Sequence, residues 1–294
     1  MDFVKSNQNV SKALKNRVDM IGYITVHNSN LNGDIDMNNM PRQDADGYGF
    51  ATDVCIKRRI RDNVSLLYPD KDGYDIYIKN DKIALETKVN GCLNELSISK
   101  DMKGFDVDSK VKKFLCEKYF DIRAFGAVIT GLSKVPGADG QLLGPVSVTF
   151  AESLEPISPQ QLTISRVSIQ TEKDLERKSH ELGQKWVVPF AVYRFEVHIS
   201  AAVAERTGFS EEDLEILIQA IQTMYENMHS SSKTDISLSN LFVFRHQSKL
   251  GNCPMKKLSS LICVEKIPQE IGRETYAISL DKGQLPDGVT VDIY

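Results

Sequence analysis

The sequence predicts an α+β fold in the ferredoxin-like order strand, helix, strand, strand, helix, strand. Three observations point there. Apolar, β-branched runs recur, among them "VDMIGYITVH", "GPVSVTFAESL" and "NLFVFRH". Two segments carry helical periodicity, one starting at Thr52 or Asp53 and one at Ser210. Two polar stretches, 68–120 and 158–185, interrupt this order without the character of a second full domain, so 1–294 reads as one domain with two insertions.

Taken in order, residues 1–17 are polar and read as a short helix or loose arm. "VDMIGYITVH" (18–27) reads as a strand partly buried on both faces. A loop crowded with Asn, Asp and Gly follows, and loops longer than about 15 residues in compact domains tend to be functional or mobile. In the next helix Ile56, Ile60, Val64 and Leu67 share an inward face, at about 100° per residue. Lys57, Arg58 and Arg61 share a second face, and Arg59 falls on a separate flank. Within 68–120, "YDIYIK" reads as a short strand and "KVKKFLCEKYF" as helical. "DIRAFGAVITGL" and "GPVSVTFAESL" read as two strands, and 158–185 as a protruding hairpin. "WVVPFAVYRFEVHISAAVA" returns as a strand. In "TGFSEEDLEILIQAIQTMYENM", Ser210 with Asp213 resembles a capping box ahead of Leu214, Leu217, Ile218 and Ile221. After "NLFVFRH" a peripheral helix and strands close the chain. RNA recognition motifs share this order, but their aromatic sheet consensus is absent, and order alone does not establish function.

Composition narrows the function classes. With 40 Asp and Glu against 36 Lys and Arg, a net charge of -4 argues against general coating of nucleic acid, so any such contact needs a local patch. The five cysteines, Cys55, Cys92, Cys116, Cys253 and Cys263, are never spaced C-x-x-C and read as reduced thiols without a zinc framework. No stretch has signal-peptide character, and no apolar run approaches the roughly 18 residues of a membrane span, so a cytoplasmic protein is expected.

One local patch exists. "ATDVCIKRRIRDNV" packs four cations into the five positions from Lys57 to Arg61, near a helix start, where the helix dipole favours anions. A solvated helix face is the bland reading. Against it, a Gly- and Asn-rich loop leads into the cations, and exposed backbone N–H groups beside cations suit a phosphate backbone. In "NGDIDMNN", Asp34, Asp36 and Asn38 have calcium-loop spacing, but Asn39 replaces the glycine at position six and Ala45 the glutamate at position twelve. An Asx-rich turn that satisfies its own backbone is preferred there to a metal pair for phosphodiester cleavage. His27, His180, His198, His229 and His246 form no H-x-x-x-H pair, and no nucleophile-elbow, Walker or dinucleotide motif occurs. No catalytic set, cofactor site or metal site is expected.

Together "NLNGDIDMNNMPRQD", "TDVCIKRRIR", "FDIRAFGAV", "GPVSVTFAESLEPI", "VVPFAVYRF", "TGFSEEDLE" and "FVFRHQSKLGN" resemble one family in order along the chain. The chain is similar to the CRISPR-associated backbone subunits of type I Cascade complexes, the family-seven Cas proteins of Csd/Csh type, closest to type I-C with type I-B next. That resemblance implies a modified RNA-recognition-motif palm, with 68–120 as helical fingers and 157–186 as a thumb hairpin. It implies copies stacked head to tail along a CRISPR guide RNA, alongside other Cascade subunits, presenting the guide to target DNA for antiviral defence. Guide contacts are implied at Lys57, Arg58 and Arg61, at Asn32, Gly33 and Arg42 in the loop, and at Arg123, Arg166 and Lys185. The loop departs from the usual G-N-P-N-G-D, and the thumb's G-R-K reads Gly183-Gln184-Lys185. The rival is a metal-dependent, target-RNA-cleaving backbone subunit of type III kind, using Asp34 or Asp36.

Overall fold

The computed structural model describes residues 13–98, 104–132, 138–166, 181–227, 229–268 and 274–294. In chain order the strands and helices are β1 (Val18–Ser29), β2 (Gly33–Asp34), β3 (Met40–Pro41), β4 (Tyr48–Ala51), α1 (Asp53–Leu67), α2 (Leu85–Glu95), α3 (Gly104–Lys118), α4 (Phe120–Phe125), β5 (Gly126–Val128), β6 (Gln141–Leu143) and β7 (Val146–Val148). They continue with β8 (Ala151–Pro156), β9 (Gln160–Arg166), β10 (Glu181–Ile199), α5 (Ala201–Thr207), α6 (Glu211–Gln222), β11 (Ile236–His246), α7 (Met255–Ser259), β12 (Ile262–Pro268), β13 (Glu274–Leu280) and β14 (Val289–Ile293).

A mixed α/β architecture surrounds a central antiparallel sheet in the order β14-β11-β1-β10-β8-β4. β1 is its centre, paired with β10 from Val18↔Ile199 to Ser29↔Val188 and with β11 on the other side. Both faces of β1 are covered, because apolar residues of the strand alternate onto each of them. Met20, Ile24 and Val26 point to one core with Ile56, Ile60 and Val64 of α1 and Leu214, Leu217, Ile218 and Ile221 of α6. Ile21 and Tyr23 point to a second core with Phe242, Phe244, Met255 and Leu258, against which Ile262, Val264, Tyr276 and Ile278 of the β12–β13 hairpin pack. At Gly22 the sheet leaves no room for a side chain, because a Cβ there would lie 2.3 Å from the Phe195 ring across the strand pair.

The helix starts follow local chemistry. Thr52 accepts the Cys55 N–H at 3.3 Å to cap α1, and Ser210 with Asp213 closes the expected capping box on α6. A third core of Tyr77, Val89, Cys92, Val107, Val111, Leu115, Ile122 and Ile129 draws α2, α3 and β5 together. Burial within it pushes the Cys92 thiol up to about 11 and the Cys116 thiol up to about 12.

Two expected strands are corrected. Phe120–Phe125, within "DIRAFGAVITGL", is helical, because Asp121 and Arg123 are held by partners on other elements before the chain extends as β5. Tyr74–Lys79 forms no strand beyond an isolated bridge of Asp75 to Tyr119, since the N–H groups of Tyr77 and Ile78 are taken by the Asp121 carboxylate. The 158–185 excursion does begin and end as paired strands, β9 against the start of β10 from Arg166↔Glu181 to Gln160↔Val187. The expected arm at 1–17 lies outside the described residues up to position 12.

Candidate functional site

One end of the sheet gathers the loop after β1, the first turns of α1 and the turn before β11. Ser29 closes β1, and its hydroxyl accepts the N–H groups of Thr234 at 3.2 Å and Asp235 at 3.0 Å. The Asn30 N–H donates to the Ser232 carbonyl at 2.7 Å, which fastens the two turns side by side. The Asn32 side chain accepts the Thr52 N–H at 3.0 Å, so the loop positions the start of α1.

Within the loop, Arg42 pairs with Asp34 at 2.9 Å and its N–H donates to the Asn32 carbonyl at 3.1 Å. The Asp34 carboxylate also accepts the Asp36 N–H at 3.1 Å, the Asx turn preferred from the sequence. Asn30 donates to the Asn39 carbonyl at 2.7 Å, and a Cβ on Gly33 would lie 2.7 Å from that same carbonyl oxygen. Glycine is required where the two loop arms touch.

The four cations of α1 separate in space. Arg58 points outward, its side chain 64% exposed and paired with Asp62 at 3.3 Å. Lys57 pairs with Asp53 at 2.9 Å and lies 5.8 Å from the Phe125 ring centre. The exposed Arg58–Asp62 pair contributes about 0–1 kcal/mol, so an incoming phosphate displaces it at little cost. Arg61 shares the Phe125 side of α1 with Lys57 but sits deeper. It is buried, bonded to Asp121 at 2.9 Å and seated 5.1 Å from the Phe125 ring.

Arg123 lies away from this corner. It is buried in a two-pronged pair with Asp213 and donates to the carbonyls of Gly73 at 3.0 Å and Cys116 at 2.5 Å. Every nitrogen of its guanidinium is used inside the fold. That pair floors a cavity of about 640 Å³ between α3 and the α5–α6 turn. Lys185 reaches back to the corner, its amine 3.1 Å from the Ser231 carbonyl. Arg166 ends the described part of β9, and its side chain lies outside the described residues.

The structure therefore brings together Asn32, Gly33, Arg42, Lys57, Arg58 and Lys185, and gives Arg61 and Arg123 partners within the core. Sequence reasoning missed one cation in the same corner. Lys233, in the turn before β11, donates to the Leu31 carbonyl at 2.6 Å. Arg59 acts on it electrostatically. No signal in "SSSKTD" marks Lys233; only the β1–β11 pairing carries it there.

At the opposite end of β1, buried Asp19 accepts from His198 and His246, each at 2.9 Å, and pairs with Arg17 at 2.8 Å. Hydrogen bonds donated to Asp19 and then to Glu196 push His198 up to about 9, which favours the imidazolium. The Asn252 N–H donates to the other His246 nitrogen at 2.9 Å, which fixes that ring as the Nε2–H tautomer. Among the described residues no group of three or more His, Cys, Asp or Glu side chains converges as a metal site, and no helix is long and apolar enough to cross a membrane.

Comparison with known proteins assigns the family. The model of the CRISPR-associated protein Cas7 family matches residues 16–281. The chain belongs to the Cas7 family. The matched span takes in every element of the fold except β14. The chain is also similar to one in the solved structure of a CRISPR RNA-guided surveillance complex, pre-nicking, at 14% identity, 78% coverage of each chain and a TM-score of 0.49. A second CRISPR RNA-guided surveillance complex matches at 13% identity, covering 78% of this chain and 68% of that one, with a TM-score of 0.45. No curated protein sequence matches significantly.

Proposed function

We propose that this Cas7-family chain is the guide-RNA-binding backbone subunit of a type I CRISPR surveillance complex, of Csd/Csh type and closest to type I-C. Family membership carries the reading, and the cationic corner at the start of α1 supports the site. Copies would stack head to tail along the guide, each covering a few nucleotides, so an acidic protein needs only a modest local patch. Many copies multiply that contact. Sequence recognition would rest with pairing of guide to target DNA, while the protein holds backbone and shape.

The strand order β11-β1-β10-β8, with α1 and α6 on one face, supports an RNA-recognition-motif palm. Ordinary motifs of that kind stack bases on the free sheet face. Here much of that face lies under the β12–β13 hairpin, which favours the sheet's end as the RNA track. The separate core of α2 and α3 supports fingers at 68–120, and the β9–β10 pairing supports a thumb at 157–186.

On this reading the chain is a scaffold and not an enzyme. The type III-like alternative would need Asp34 or Asp36 free to hold a metal. Asp34 is instead engaged by Arg42 and by the Asp36 N–H.

The test is the nucleic acid content of the full chain, purified with and without a co-expressed CRISPR array. RNase-resistant particles holding array-derived RNA, lost in a Lys57→Gln, Arg58→Gln variant that melts like the parent, support the proposal. A nucleic-acid-free protein that ignores added guide RNA would direct the basic helix to an acidic protein partner instead. A metal-dependent cut in bound complementary RNA, lost in Asp34→Ala, would favour the enzyme.

A further inference from the structure

At the β4 end of the central sheet, Tyr48, Phe50 and Phe150 form an aromatic strip that belongs to none of the hydrophobic cores. Gly49 faces the core, where a Cβ would lie 2.6 Å from Ile157 and 2.7 Å from the Tyr193 hydroxyl, so Tyr48 and Phe50 on either side of it point the other way. The Phe50 and Phe150 rings stack with centroids 5.9 Å apart and planes 9° apart. Phe150 is 48% exposed and Tyr48 38%. The backbone beneath them is pinned. The Phe50 N–H donates to the Arg42 carbonyl at 3.0 Å, the Thr149 N–H donates to the Glu196 carbonyl at 3.0 Å, and the Thr149 hydroxyl accepts the Glu196 N–H at 2.9 Å.

Carboxylates border the strip. Glu152 is the register partner of Phe50, so the two side chains share a face. The Asp44 carboxylate accepts the N–H groups of Asp46 at 3.0 Å and Tyr48 at 2.8 Å, which folds that turn against the strip. Asp44, Asp46 and Glu152 are exposed, and among the described residues none of them forms an ion pair. The nearest cations are already engaged. Arg42, beside Phe50, is taken by Asp34 at 2.9 Å. Arg194, the cross-strand neighbour of Glu152 on β10, is taken by Glu196 and by the Ser259 hydroxyl at 2.9 Å.

We infer that this strip is a docking surface for a protein segment rich in arginine or lysine. A single exposed ring is ordinary, but rings held in a fixed stack offer contact area that is already ordered. Their faces attract a cation, and the unpaired carboxylates supply its counter-charge. An arginine laid on Phe150 reaches Glu152 from the same position, since Phe50 lies between that ring and the carboxylate's strand. The same carboxylates repel a phosphate backbone, which sets this surface apart from the cationic corner at α1. A basic peptide therefore fits here and a nucleic acid does not.

The experiment uses the full chain and two labelled peptides, one alternating Arg with Gly and one alternating Glu with Gly, read by fluorescence anisotropy. A labelled short single-stranded RNA is the third probe. The variants are Phe150→Ala, Phe150→Tyr, Glu152→Gln and Asp46→Asn. The Arg peptide is expected to bind and the Glu peptide to be ignored. Phe150→Ala should weaken the Arg peptide about three- to tenfold, whereas Phe150→Tyr keeps a ring face and should bind like the parent. Glu152→Gln and Asp46→Asn should each weaken it about two- to threefold, a loss that fades in high salt. Neither carboxylate has an ion pair to lose, so both variants should melt like the parent and remain informative if Phe150→Ala loosens the fold. RNA binding should be the same in all of them.

Equal Arg-peptide affinity in the parent, Phe150→Ala and Glu152→Gln overturns the surface, as does equal affinity of the parent for the two peptides. RNA binding lost in Phe150→Ala, with peptide binding kept, gives the strip to nucleic acid and overturns it too. Self-association that Phe150→Ala abolishes and the Arg peptide leaves intact makes the strip an apolar contact between copies, which also overturns it. Peptide binding that follows Phe150 and Glu152 supports the surface whether or not the protein binds RNA, because no part of the surface rests on the proposed function.

Discussion

Arg123 and Asp213, 90 residues apart, meet fork to fork: Nε lies 3.0 Å from Oδ2 and Nη2 lies 2.6 Å from Oδ1. Asp213 also receives the Ser210 N–H and hydroxyl, so one carboxylate caps α6 and anchors α4. Removing one partner of a buried pair leaves the other charge stranded, which costs about 3–5 kcal/mol. Arg123→Ala should therefore lower the denaturant midpoint sharply. RNA affinity per folded molecule should stay at the parental level. A stable Arg123→Ala protein with lost RNA binding would return Arg123 to the interface.

Arg58 and Arg61 should separate cleanly. Arg58→Gln removes an exposed cation, so the melting temperature should hold within error while the salt slope shrinks by about 0.7. Arg61→Gln strands Asp121, which also binds the N–H groups of Tyr77 and Ile78, so stability should fall first. Melting curves and RNA titrations on both variants decide it; equal behaviour would contradict the burial of Arg61.

His198 gives a pH dependence of definite sign. Its folded value is raised from 6.5 to about 9 by Asp19 and Glu196. A raised value means the imidazolium stabilises the fold fully below the unfolded value and loses that contribution as pH climbs through the folded one. Urea midpoints of the parent should decline between about pH 6.5 and 9 relative to those of His198→Gln. Parallel profiles for the two proteins would refute the imidazolium assignment.

Gly33→Ala forces a Cβ to within 2.7 Å of the Asn39 carbonyl oxygen, which is backbone and cannot swing aside. The loop arms must part, and the Asn32–Thr52 contact that positions α1 should loosen with them. The expected result is a loss of about 1–3 kcal/mol in stability together with weaker RNA binding. Hydrogen exchange of the Thr52 amide reports the loosening directly; unchanged protection would show that loop and helix start are not coupled.

The sequence by itself determined the parts of this protein whose physics is local. Ile56, Ile60 and Val64 at helical spacing, the Ser210–Asp213 box, and the apolar run at 18–27 each carry their structure in a short window. The loop-plus-helix stretch from Asn32 to Arg61 also held enough ordered motif to point to the family. Only the tertiary structure decided which cations are available. Helical periodicity put Arg61 on one face with Lys57 and Arg58, but Asp121, 60 residues on, draws it into the core. Arg123 is claimed by Asp213 in the same way. Lys233 joins the corner because β11 pairs with β1 across more than 200 residues of chain. A charge's partner is fixed by distance in space, and at these separations sequence spacing carries no information about it.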